Sequence, residues 1–172
     1  MKLHSDFRIN RRLYPAGTEI AWYKICPFFL IHMLVFGGMG FYFAYFNRHV
    51  DLSTLYLTGG FGVTIYTGFY LFMFGFDEVK WMFINALLGL LGIYSQVGWV
   101  LSIFGKKISD YPLQVNVVPF LYYVLYVFLL RHIVVDITKS GDDLKKKKRV
   151  EKYYIAISIA VCLISYYFQI RK

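Results

Sequence analysis

The 19 basic and 10 acidic residues of this 172-residue chain all avoid five windows: 25–47, 52–76, 81–105, 111–130 and 153–170. The windows are 23, 25, 25, 20 and 18 residues long. A helix needs about 20 mostly apolar residues to cross the hydrocarbon core of a bilayer, with a range of roughly 17–25. Only helices and closed barrels satisfy every backbone polar group in lipid, and windows of this length suit helices. The composition agrees: 58% of residues are hydrophobic, 21% aromatic and 17% charged, with mean hydropathy +0.51. A soluble domain has about a quarter of its residues charged.

The expected fold is therefore all-α: a polytopic membrane protein of about five transmembrane helices. One helical domain covers 25–170, with spans near 25–47, 52–76, 81–105, 112–135 and 153–170. A basic arm, 1–24, precedes it, and a basic loop, 136–152, enters before the last span. This organisation excludes an ordinary soluble enzyme, a disordered tail, a disulfide scaffold and a nucleic-acid reader. Arm 1–24 has no apolar core of the kind a signal peptide needs, so span one is expected to be retained. Cys26 and Cys162 form no CxxC pair, and thiols in apolar surroundings are usually inert.

Basic residues set the expected orientation. With the N-terminus cytoplasmic, 14 Lys and Arg lie inside and 5 outside, which by the positive-inside rule predicts N-in, C-out. Lys106 and Lys107 are the exceptions. The run Lys145, Lys146, Lys147, Lys148, Arg149 is expected to touch anionic headgroups at roughly 1 kcal/mol per residue near the surface. The membrane is expected to be a bacterial inner membrane, from the length and the short loops.

Within lipid, small residues let helices approach closely. Gly37, Gly40 and Ala44 share one face of span one. Asn85, Gly89, Gly92 and Gln96 share one face of span three, which makes span three the expected central helix. A Gly-Gly-x-Gly element occurs in both span one (37–40) and span two (59–62), and reads as small-residue packing rather than a duplication. Pro27 and Pro112 suit first helical turns, whereas Pro119 lies deeper and predicts a kink.

Ionisable residues inside a membrane are functional candidates. His32, Asn85, Gln96, Arg131, His132 and Asp136 form a candidate polar pocket, most of it in the cytoplasmic half, near the short turn holding Asp77, Glu78 and Lys80. His32 is read first as a hydrogen-bonding strut, then as a pocket member, then as a proton or haem ligand. Arg131, His132 and Asp136 are read as a solvated helix end with Arg131 reaching to headgroups. The chain has no HExxH, GxSxG or Walker A sequence, so no catalytic residue, metal or cofactor is assigned.

Three functions fit. The leading one is a non-catalytic subunit or accessory component of a larger membrane complex, contacting lipids and other membrane chains or itself. The second is a homo-oligomeric channel or small transporter lined by span three. The third is an enzyme acting on a lipid phosphate at the cytoplasmic face, with Arg131 holding the phosphate.

Overall fold

A helix covers all or nearly all of each charge-free window in the computed structural model, which describes residues 2–9, 12–47 and 51–171. Arg11, Arg48 and Lys172, and the side chains of Arg12, Cys26 and Asp77, lie outside the described residues. The helices are α1 (Trp22–Tyr45), α2 (Leu52–Val79), α3 (Trp81–Ile103), α4 (Leu113–Ile137) and α5 (Leu144–Ile170). All five contain stretches long and apolar enough to cross a membrane. The protein is thus a helical, multi-pass membrane protein.

Local chemistry sets the ends. Asp51 caps α2 by accepting from the Thr54 N–H at 2.8 Å, and Asp143 caps α5 by accepting from the Lys145 and Lys146 N–H groups. Such caps satisfy orphan donors of a first turn. Asp143 moves the start of the last helix forward to Leu144, so most of the basic stretch expected as a loop is its first two turns. The connection itself is only residues 138–143. Helix α1 starts at Trp22, which places Pro27 inside the helix rather than in its first turn.

The central helix is α4, not α3. Half of its apolar window is buried, against 39% for α3 and 6% for α5. Its large side chains enter notches left by glycines on the helices around it. A Cβ on Gly37 or Gly40 would stand 3.3 Å from Tyr122 and Val118 respectively. On α2, a Cβ on Gly59 would meet Val118 at 2.3 Å, and one on Gly62 would meet the Tyr122 hydroxyl at 2.1 Å. On α3, Gly89 accommodates Val124 and Phe120, and Gly92 accommodates Tyr123. The two Gly-Gly-x-Gly elements therefore clasp the same pair of α4 side chains. A glycine stripe marks the helix that yields space, and the central helix is the one that fills it.

Helix α3 contains a π-turn at Ile93–Val97. The wider turn inserts one residue into the helical register. Asn85, Gly89 and Gly92 keep to the face packed on α4. Within the π-turn, Gln96 lies against α5, its Nε2 donating to Cys162 Sγ at 3.8 Å, and just beyond it Gly98 lies against Gln169. The expected four-residue stripe is split between two neighbours.

The basic arm is folded. Strands β1 (Phe7–Ile9) and β2 (Arg12–Tyr14) form an antiparallel hairpin pairing Phe7 with Tyr14. Its leading segment docks on a break in α2 at Gly75, where φ is 78°. A left-handed residue interrupts the i→i−4 ladder and leaves carbonyls without helical donors. His4 N–H donates to Met73 O at 2.9 Å and Ser5 Oγ to Phe72 O at 2.8 Å. His4's ring lies against Gly75, where any Cβ would be 2.6 Å from its Nδ1. Irregular backbone near the membrane is tolerated where protein covers it, and the hairpin supplies that cover.

Candidate functional site

Three helices bring charge together at the hairpin end, and a fourth adds an aromatic ring. Arg131, near the C-terminus of α4, is 1% exposed. Its Nη1 donates to Glu78 Oε2 of α2 at 2.7 Å and its Nη2 donates to Glu151 of α5. Its guanidinium stacks 4.5 Å from the ring centroid of Trp81, the first residue of α3. Lys147 of α5 donates to the other Glu78 oxygen. The set holds two cations and two carboxylates, so it is electrically balanced. Burial pulls the Glu78 carboxyl up, but the bonds from Lys147 and Arg131 outweigh it and hold it down to about 2.

The expectation of a solvated helix end is thereby corrected. Arg131 does not reach to headgroups, because two carboxylates hold it inside the bundle. Lys147 is likewise turned inward, whereas Lys145, Lys146, Lys148 and Arg149 are exposed. Glu151 was not read as a site residue, and Lys147 was read only as a headgroup contact. The available signal was Glu151 itself, the one acid in the otherwise basic opening of α5.

His132 sits beside Arg131, stacked on Phe74 at 4.1 Å and edge-on to Phe128 at 4.5 Å. Arg131 Nη1 lies 3.3 Å from its Nε2. Guanidinium groups only donate, so this contact assigns Nε2 as the acceptor and leaves the ring proton on Nδ1. Asp136 Oδ2 accepts from the Trp22 backbone N–H at 3.3 Å, tying the start of α1 to the end of α4.

A cleft of about 640 Å³ opens between these groups and the arm segments that flank the hairpin, at Lys2 and at Glu19 to Ala21. Its walls carry Lys2, Lys139 and Lys147, and also Glu19, Glu78, Asp136 and Asp142, with His132 between them. Lys2 pairs with Asp142 at 2.5 Å. That hydrogen bond raises the Lys2 amine and lowers the Asp142 carboxyl from their ordinary values.

The remaining candidates lie elsewhere. His32 is not in the cleft: its Nδ1 is 2.8 Å from the Phe28 carbonyl one turn back, and its ring stacks with Phe28 and Phe36. Asn85 is 1% exposed, and neither polar atom of its amide has a partner among the described residues. Gln96 contacts α5 more than two turns along α3 from Asn85. Among the described residues, no three His, Cys, Asp or Glu converge as a metal site.

A second polar cluster holds the opposite end. Lys106 Nζ donates to the Tyr45 carbonyl at the end of α1 and stands 4.5 Å over the Phe46 ring. A cation at a helix C-terminus is favoured by the helix dipole. Tyr45 Oη donates to Asn116 Oδ1 at 2.7 Å. Lys106 thus has a structural role of its own, tying the end of α1 to the connection before α4.

No protein-family model matches this sequence, and searches of curated proteins and of solved structures return no match.

Proposed function

We propose that this chain is a non-catalytic subunit or accessory component of a larger membrane complex, with α2 presenting a docking face to another membrane chain. The observation that carries this is which glycines are filled. Gly37, Gly40, Gly59, Gly62, Gly89, Gly92 and Gly98 all have a neighbouring side chain within contact distance. Gly60 and Gly68 have nothing within 4 Å. With Thr64 they step by four along the other face of α2, the small-residue spacing that lets helices pack in lipid. In this bundle such spacing elsewhere serves helix contact. Helix α5 adds a second open face, since so little of its apolar window is covered.

The alternatives have less support. A path lined by span three needs an open stripe, yet Gly89 and Gly92 are packed on α4 and Gln96 on α5. A lipid-phosphate enzyme needs a free Arg131, yet both its terminal nitrogens hold carboxylates.

In this reading the hairpin end faces the cytoplasm and the chain sits in a bacterial inner membrane, as the loop charges and short loops suggest. The test is native mass measurement after gentle detergent extraction, with every co-purifying chain identified. The expected result is a stoichiometric foreign chain, lost from Gly60→Leu and Gly68→Leu variants that remain folded. A homo-oligomer free of foreign chains would replace this reading with the channel.

A further inference from the structure

We infer that the outer face of the first turns of α5 binds the phosphates of anionic phospholipids in the leaflet at the hairpin end. Three features carry this.

The first is how the helix sorts the basic run. With Asp143 as its cap, α5 is helical through 145–152. The 3.6-residue period then puts Lys145, Lys148, Arg149 and Lys152 on one face, and all four are exposed. Lys147 and Glu151, four apart, take the opposite face and turn inward to Glu78 and Arg131. Lys146 stands on the flank, its Nζ donating to the Lys139 carbonyl at 3.4 Å. Of the consecutive run expected to touch headgroups, the helix thus withdraws Lys147, and it adds Lys152.

The second is unanswered charge. None of the four makes an ion pair among the described residues. The acids nearest in sequence are taken up elsewhere: Asp142 by Lys2, Asp143 by the helix cap and Glu151 by Arg131. Lys145 with Arg149, and Lys148 with Lys152, are like charges four apart, which destabilise a helix. The first turn carries no acid, and cations there oppose the helix dipole. The arrangement does nothing for α5 itself, whereas a phosphate set between the two pairs removes the repulsion in both.

The third is level. The charge-free part of α5, 153–170, has 18 residues. At 1.5 Å per residue that is about 27 Å, close to a hydrocarbon core of about 30 Å. The polar zones add about 5–7 Å on each side, and the stripe rises about 10 Å from 145 to 152. It therefore crosses the phosphate level. The same face continues into Ala156, Ala160 and Leu163, all exposed, on a window only 6% buried. A cationic stripe continuous with a lipid-facing one meets the phosphates of its own leaflet before any soluble polyanion.

The experiment titrates the delipidated full-length protein with phosphatidylglycerol and phosphatidylcholine of matched chains, read by native mass spectrometry. Phosphatidylglycerol is expected to be retained at least ten-fold more tightly, with the preference shrinking as salt rises. Gln at 145, 148, 149 or 152 should each lower its retention about five-fold, the equivalent of the ~1 kcal/mol a basic residue contributes near an anionic surface. The four together should abolish the preference. All four positions are exposed, so these variants are expected to keep the native melting midpoint. Arg171→Gln, at the far end of the same helix, removes one charge of the same sign and should change nothing. Equal retention of the two lipids overturns the proposal, as does unchanged retention in the quadruple variant. An equal loss in Arg171→Gln would replace the stripe with net charge alone. Displacement by soluble glycerol phosphate at equal concentration, or by an acidic peptide, would overturn the lipid as the ligand.

Discussion

A single methyl group distinguishes the two kinds of glycine in α2. At Gly59 it would be driven against Val118 Cγ1 at 2.3 Å, and a β-branched side chain has few rotamers into which to retreat. Gly59→Ala is expected to cost about 1–3 kcal/mol, the usual range for overpacking. At Gly68, which has open space, the same change should stay within about 0.5 kcal/mol. Thermal unfolding of the two variants in one detergent checks the contrast. The ion set adds a pH signature. Glu78 is held at about 2, against an ordinary 4.5. As pH falls from 4.5, the unfolded chain takes a proton at this carboxylate while the native protein does not. The stability this group contributes is therefore complete above 4.5 and is lost as pH falls to about 2. The melting midpoint of the native protein should drop faster across that window than that of Glu78→Gln.

At the scale of elements, the five spans were legible because charge is costly in lipid and its absence leaves an unbroken record. The boundaries were less so. Charge marks where the apolar zone ends, not where the helix ends, and α5 continues through Lys145–Lys152 because Asp143 caps it. The centre of the bundle was misassigned for a related reason. Glycines on span three gave the visible pattern, but they belong to the accommodating partner, while α4's Val118, Tyr122 and Tyr123 carry no such signature. The π-turn was invisible to a 3.6-residue count, so Gln96 was placed on the same face as Asn85, Gly89 and Gly92. Arg131 was given the wrong surroundings, since its partners are 53 residues before and 20 residues after it. Those separations follow from how the helices pair, which no single span records.

At the scale of the molecule, four helices share the α4-centred core and α5 stands outboard. It is held by the Arg131–Glu151 pair, by Tyr154 Oη donating to Val127 O at 2.7 Å, and by Gln96 against Cys162. Segments 1–141 and 142–172, produced as separate chains in one cell, are expected to associate and co-purify. Arg131→Met should weaken that association more than ten-fold, because removing one partner of a buried ion pair costs about 3–5 kcal/mol. Equal recovery from both would place the attachment in the apolar contacts instead.

The hairpin's docking site also imposes an order of assembly. Residues 2–5 are made before the carbonyls of Phe72 and Met73 and the carboxylate of Asp142 that receive them. His4 and Ser5 find their acceptors once α2 has formed, whereas Lys2 meets Asp142 only after four helices and the connection to the fifth have been made. A segment made before any of the helices is thus placed by partners made after it, and its contacts become complete only when the chain has reached Asp142.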